Sequence, residues 1–441
     1  MEIKNKRGVC VMHLSKLKRF GYALAILGLG LTLTACGKKS SENDKVTISI
    51  LQSKVESNKA LKSIAKTYQK KHPNVEFKIQ SIGGGTDYNP VLKTRISSGN
   101  APTIFSLLGP ADVIQFKKYA ADLNGTKLAK LANKGTLDTV TDGGKVYGYP
   151  YNVEGYGFVY NKEVFEKAGI KPEELTTPDK FQEAVKQIDS KKDELGLDAV
   201  FATPGKEAWV FSDHLANLYL GQEFNGNSLK LYKSKSMKFT ANQEMKDMLD
   251  LEMKYSVKPV MQVDYTSQVN KNFSEKKVAM VQQGNWIYST IEGIDKDFAN
   301  NGVGMMTIPV KGQEGKLPVG TSNYWAINNK KSDKEQKAAQ DFLTWLYTSK
   351  EGKDLVVNKL HYVPAYKGYS DFKMPDALSQ QVFNASQSGK VIGWSFPGYT
   401  GTPWDQNTMQ PALQKYMSGK ADWDQTVKTA TDGWKKQQAE N

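Results

Sequence analysis

Residues 46–79 read VTISILQSKVESNKALKSIAKTYQKKHPNVEFKI. Val46 to Leu51 alternates apolar and polar residues, the period of a half-buried strand. Between Asn58 and His72, Leu61, Ile64, Ala65 and Tyr68 recur at helical spacing, which predicts an amphipathic helix. Pro73 stops that helix, and Val75 to Ile79 alternates again. A Gly83-Gly84-Gly85 turn follows, then a helix from Pro90 to Ser98 and a third strand from Thr103 to Leu108. The order β-α-β-α-β predicts a parallel sheet with crossover helices, an α/β fold. The glycine run is read as a tight turn, because the chain has neither GxxxxGK[ST] nor GxGxxG after a strand.

Downstream, Lys145 to Tyr160 is aromatic and β-branched, broken by glycine and proline, and a first crossing between lobes is expected there. Helices are expected from Asn161 to Gly169 and from Pro178 to Leu195, the second opened by Thr177-Pro178-Asp179. Helical segments follow to Tyr255, with Trp209 to Leu220 the most aromatic. Lys277 to Gln282 and Gly302 to Val310 are expected strands, with a second crossing after Pro309. Asn323 to Asn328 is another strand. In the helix Ser332 to Tyr347, Ala338, Ala339, Phe342, Leu343 and Leu346 share a face. Tyr362 to Ala365 is the expected third crossing, and the rest is helical apart from the loop Gly393 to Asp405.

Ahead of the first strand, six basic residues precede a 14-residue apolar run from Phe20 to Leu33, followed by Thr34-Ala35-Cys36-Gly37. Basic flank, short apolar core and small residues make a secretory signal, too short to span a bilayer comfortably. Leu33-Thr34-Ala35-Cys36 resembles the lipobox of bacterial lipoproteins. That resemblance implies cleavage before Cys36 and acylation of its thiol, with 1–35 as signal peptide and 36–45 as a polar tether.

The 406 residues left are long for one core and suggest two lobes. They carry 54 basic against 45 acidic side chains, a formal +9, but Arg95 is their only arginine. Nucleic acid is not expected, since phosphate and base edges favour the arginine fork and these lysines are interspersed with acids. Cys10 and Cys36 are the only cysteines, so no disulfide is expected after cleavage. His72, His214 and His361 fall in no metal-binding spacing, so neither metal nor cofactor is expected.

Several of these pieces resemble extracellular solute-binding proteins of ABC importers, the group that includes maltodextrin-binding proteins. The matching stretches are the lipobox, Ser98-Gly-Asn-Ala-Pro102 before a strand, Val278 to Trp286, Gly320 to Ile327, Ala338 to Leu343 and Ser349 to Gly352. The resemblance implies a two-lobed periplasmic-binding-protein-like fold, three hinge crossings and a ligand trapped between lobes as they close. It implies no catalysis, a monomer, and handover to ABC permease subunits in the membrane. The expected division is 46–152 with 310–362 for lobe 1, and 153–309 with 363–441 for lobe 2.

Ligands of open α/β sheets bind beyond the carboxyl ends of strands. The candidates there are Lys54, Glu56, Tyr151, Asn152, Glu154, Trp209, Asp213, Asn285, Trp286, Asn323, Trp325, Trp394, Trp404 and Asp405. Sugars lay C–H faces on aromatic rings and exchange hydrogen bonds with amides and carboxylates. That set therefore points to an oligosaccharide, and raffinose-type or isomalto-type sugars are the nearest resemblance for the 393–405 loop. Trp286 matches the family's stacking tryptophan. Core packing is the competing reading for Trp209 and Trp325, and a solvated surface pair for Lys54 and Glu56. Trp345, Trp423 and Trp434 are read as core. The alternatives are a polyamine or peptide binder, or a secreted glycoside hydrolase, which needs two carboxylates across one bond. The long basic leader and the lysine-rich tether resemble those of low-GC Gram-positive lipoproteins, and that resemblance implies an anchor on the outer face of the cytoplasmic membrane.

Overall fold

A computed structural model describes residues 45–83 and 88–440. The signal segment, Cys36, the tether up to Asp44, and Gly84 and Gly85 lie outside the described residues. The strand Val46–Gln52 pairs in parallel with Val75–Ser81, Val46 opposite Val75 and Gln52 opposite Ser81. On its other side it pairs in parallel with Ile104–Leu107. Tyr324–Ile327 then joins antiparallel, and Tyr149–Pro150 closes the sheet. The helix Asn58–Lys71 buries Leu61, Ile64, Ala65 and Tyr68, the residues its periodicity marked. Beside it, Asp333–Thr348 brings the Phe342 ring 4.7 Å from Phe77 and 5.2 Å from Tyr68. Ser332 and Glu335 form the capping box that starts this helix, satisfying two of its orphan N–H groups.

The second sheet runs in the order Val391–Ile392, Leu317–Gly320, Glu154–Asn161, Val278–Gly284, Ala199–Phe201, with Val303–Met306 antiparallel to Glu154–Asn161. Its core stacks Phe158 on Phe181 at 4.8 Å and seats Trp404 edge-on against Trp434. Asn161 caps Lys162–Ala168, which ends at Gly169 with φ 72°. Helix Pro178–Ser190 starts at Thr177, whose hydroxyl accepts from the Lys180 N–H. The chain thus has two α/β lobes.

Two expected boundaries are corrected. The return to the first lobe falls not at 310 but at Thr321 to Asn323, because Leu317–Gly320 pairs with Gly155 and Glu154 of the second sheet. The turn near Pro309 was visible locally, but the pairing partner lies over 150 residues away. The last crossing also comes later than 362. Tyr366 donates its hydroxyl to the Pro150 carbonyl (2.6 Å), Tyr369 to that of Tyr347 (3.1 Å), and the Lys367 N–H bonds Leu131 (2.8 Å). The segment stays on the first lobe until shortly before helix Ala377–Ser388, which packs on the second sheet. The crossings are bonded to one another. The Tyr151 N–H donates to the Asn323 carbonyl (2.9 Å) and that of Val153 to the Val363 carbonyl (2.8 Å).

Glu252 is buried in the second lobe, and its Oε1 has no hydrogen-bond partner among the described residues. Burial raises its pKa to about 8. Between pH 4.5 and 8 the folded protein keeps a proton that the unfolded chain releases, so stability falls as pH rises through that window. Glu252→Gln has no proton to lose. Its melting temperature is expected to exceed wild type at pH 8, and the difference to close near pH 4.5. A scanning-calorimetry series in pH checks this, and a gap independent of pH would refute it.

Candidate functional site

Just past the first strand, the buried Gln52 side chain turns the chain. Its amide donates to the Lys54 carbonyl (2.7 Å) and accepts from the Lys54 N–H (2.6 Å). This aims Lys54 inward, where only 7% of it is exposed. Its ammonium pairs with Glu56 (3.0 Å) and with Glu154, the first residue of the 154–161 strand. Burial opposes the ammonium, but the two carboxylates outweigh it and hold its pKa above the ordinary lysine range. Glu154 also accepts from the Ser322 hydroxyl (3.0 Å), and Ser53 donates to the Asn323 side chain. A polar wall is thereby assembled from the first strand end and the first two crossings.

Facing it is an aromatic wall from the second lobe. The His214 imidazole stacks on Tyr156 at 4.2 Å, meets Trp209 edge-on at 5.0 Å, and lies 5.3 Å from Trp286 and 5.8 Å from Phe396. Burial pushes its pKa down to about 3, so it is neutral at physiological pH. Trp286 donates its indole N–H to Gln283 (2.9 Å) and Trp209 to Glu207 (2.8 Å), which fixes both ring planes. Glycine admits these rings. A Cβ on Gly284 would lie 2.2 Å from the Trp286 ring, and one on Gly320 2.5 Å from Trp394. Behind them Asp213 is buried with Asp405. Burial first, and the Asp405 charge second, push the Asp213 carboxyl well above the usual range.

Between these walls is a cavity of about 440 Å³, in the size range of small-molecule sites. Eight of the candidates line it: Lys54, Glu56, Glu154, Trp209, Asp213, Trp286, Asn323 and Trp394. Six do not. Trp325 stacks on Tyr151 at 3.5 Å and donates to the Tyr347 hydroxyl (2.9 Å), so both are core of the first lobe. Trp404 donates to the Ala430 carbonyl (2.7 Å) against Trp434. Asn285 accepts from the Gly155 N–H (3.1 Å) and donates to Ser379 (3.3 Å), tying strand to helix. Asp405 stands behind Asp213, bonded to Ser212, Gln410 and Gly401. Asn152 is buried at the hinge, beside Lys54 and Tyr362.

The candidate set missed His214, Tyr265, Glu207 and Gln410, which also line the cavity. One signal for His214 existed. It follows Asp213 in the aromatic 209–220 segment, where the chain makes the π-helical turn Val210–Leu215 instead of a regular α-helix. Such turns re-aim side chains at functional sites. Among the described residues, no group of three or more His, Cys, Asp or Glu side chains is placed to hold a metal.

Removing the Lys54 charge leaves two carboxylates buried against each other. Lys54→Met is expected to lose about 3–5 kcal/mol in urea unfolding, and adding Glu154→Gln to recover part of it. A loss below about 1 kcal/mol would mean the pair is screened by solvent.

The sequence model of the family described as "Bacterial extracellular solute-binding protein" matches residues 52–353. The multiple sugar-binding protein of Streptococcus mutans is 26% identical over 348 residues, covering 74% of this chain and 78% of that protein. The melibiose/raffinose/stachyose-binding protein MelE of Bacillus subtilis is 23% identical, covering 78% of this chain and 83% of its own. Among solved structures, a solute-binding protein RafE in complex with raffinose superposes with TM-score 0.72 at 20% identity, covering 89% of this chain and 100% of that one. That likeness is one of fold.

Proposed function

The chain belongs to the bacterial extracellular solute-binding protein family, and from that premise we propose that it captures an oligosaccharide between its lobes and delivers it to an ABC permease. The observation that carries this reading is the cavity itself. Indole planes held by their own N–H bonds stand opposite a wall of carboxylates, amides and hydroxyls. Rings stack on the C–H face of a pyranose, and the polar wall exchanges hydrogen bonds with its hydroxyls. The sugars named for the relatives support the same class. The cavity offers no arginine for a carboxylate or phosphate clamp.

Binding proceeds by closure. Ligand bridges both lobes, so it stabilises the closed state over the open one. In the described structure the lobes already touch at the cleft rim, where a Cβ on Gly109 would lie 2.1 Å from the Pro397 carbonyl oxygen. Binding without catalysis fits the carboxylates. Glu56 and Glu154 share one ammonium on one wall, and on the other Glu207 accepts from the Trp209 indole N–H while Asp213 is buried against Asp405. In the same reading, signal cleavage at 35 and acylation of Cys36 tether a monomer to the outer face of the cytoplasmic membrane of a Gram-positive cell. Among the described residues no helix is long and apolar enough to cross a membrane.

Thermal shift of the protein lacking residues 1–36 tests this, with raffinose, stachyose, melibiose, maltotriose, isomaltose and panose against polyamines and peptides. A rise confined to one sugar series is expected. Trp286→Ala is expected to weaken that sugar at least about tenfold, roughly 1.4 kcal/mol, while Trp286→Phe retains most of the affinity. A rise with a polyamine or peptide and none with sugars would overturn the reading.

A further inference from the structure

His361 stands where the two lobes meet. It follows the first-lobe helix Lys350–Asn358, to which its neighbour Tyr362 bonds back through the Val356 carbonyl (3.1 Å). Two residues on, the Val363 carbonyl accepts from the Val153 N–H of the first crossing. The His361 backbone is left-handed, with φ 54°, an uncommon state for a residue with a side chain. Its side chain is 13% exposed, and both ring nitrogens face carboxylates of the second lobe. Nδ1 lies 3.5 Å from Oδ2 of Asp376, the N-cap of helix Ala377–Ser388. Nε2 lies 3.7 Å from Oε2 of Glu292, on helix Tyr288–Ile294. Nδ1 and the Asp376 Oδ2 are both buried, and neither has a hydrogen-bond partner among the described residues. They oppose each other across the lobe boundary, under about 1 Å beyond the length of a charge-assisted hydrogen bond.

The groups around the ring leave it in a negative field. The Tyr288 ring packs at 4.9 Å, and burial raises the pKa of its hydroxyl to about 12, so it is neutral. On the cleft side the imidazole shares a small pocket with Lys54, Glu56, Glu154 and Tyr362. One ammonium there meets two carboxylates, and burial keeps the Tyr362 hydroxyl neutral. A neutral imidazole carries one N–H and serves one of the two facing carboxylates, presenting a lone pair to the other. An imidazolium carries two and serves both.

We propose that His361 is a proton-operated latch between the lobes: on gaining a proton it draws Asp376 and Glu292 onto its two ring nitrogens and favours closure. The inference rests on the closure reading above and not on the identity of the ligand. The ring and the carboxylates belong to different lobes, so a change of lobe angle changes both distances. The distances described belong to an arrangement whose cleft rims touch, so strengthening these contacts stabilises the closed state. Histidine is the side chain whose ordinary titration falls between about pH 5 and 8, so ligand capture tightens as the medium acidifies. The other two histidines of the described chain do not sit at this boundary. Burial holds His214 neutral in the cleft, and His72 stacks on Tyr68 at 4.0 Å in the first lobe.

Single-molecule energy transfer between one dye on each lobe of the ligand-free secreted protein, at pH 8 and at pH 5.5, tests the latch. The closed-to-open ratio is expected to rise at least about threefold on acidification. His361→Asn places a residue that tolerates the left-handed backbone and cannot take up the proton. Asp376→Asn keeps an oxygen for the Ser379 N–H it caps (2.7 Å) and removes the charge. Each is expected to abolish most of the rise, whereas His72→Asn keeps it. The comparison isolates His361 from Asp112, Asp213 and Glu252, whose carboxyl pKa values burial also raises. No rise in wild type, a fall, or a rise of equal size in His361→Asn or Asp376→Asn overturns the proposal. Loss of the rise in His72→Asn would also overturn it, by placing the proton elsewhere. The measurement uses no sugar, so the latch and the sugar reading can each fail alone.

Discussion

One buried ammonium organises the cleft. Lys54 follows the first strand of one lobe, and Glu154 opens the long strand of the other. Their ion pair therefore joins the lobes at the point where the chain crosses between them. Taking these charges out of water is costly, and the cost is offset only when each charge finds partners in good geometry. Here every member does. Gln52 turns the Lys54 backbone inward, Glu56 takes a second side of the ammonium, and Ser322 donates to the far oxygen of Glu154. The polar wall of the cleft is the by-product of solving that burial problem, so its acceptors are in place before any ligand arrives.

The aromatic wall is arranged on a different principle. Trp209 and Trp286 each spend the indole N–H on a neighbouring side chain. What remains for a ligand is a ring face with little polar demand, suited to a C–H surface. His214 sits among these rings as a neutral group, because burial holds its pKa near 3. A charged imidazole there would repel a cation and bind an anion, and the fold excludes that state at physiological pH. Opposed walls of fixed acceptors and fixed ring faces suit recognition of a polyol.

Much of the scaffold was legible locally. The alternation in Val46–Gln52, the helical stripe of Asn58–Lys71 and the capping signals at Thr177 and Ser332 are properties of a few neighbouring residues, and the elements formed there. Sheet membership was not. Leu317–Gly320 looks like the lead-in to the next strand, yet it pairs with Gly155 and Glu154. Nothing within ten residues of it specifies that partner. The same divide separates the site residues. Lys54, Glu56 and Trp286 directly follow strands, so strand prediction alone led to them. Trp325 and Trp404 have the same residue type but face a packed neighbour, Tyr151 in one case and Trp434 in the other.

The sequence by itself determined the α/β class, the first parallel β-α-β-α-β unit and the kind of side chain available for a ligand, because periodicity, caps and composition act over a few residues. Tertiary structure alone decided which aromatic rings face the cleft, that Asn285 ties a strand to a helix instead of reaching a ligand, and that His214 is buried as a neutral ring between Tyr156 and Trp209. It also decided that Lys54 and Glu154, a hundred residues apart, meet. The physical reason is common to all of these. Burial, and with it pKa and hydrogen-bond partnership, is set by what the far parts of the chain bring to a position, and a single sequence carries no local signal of that arrival.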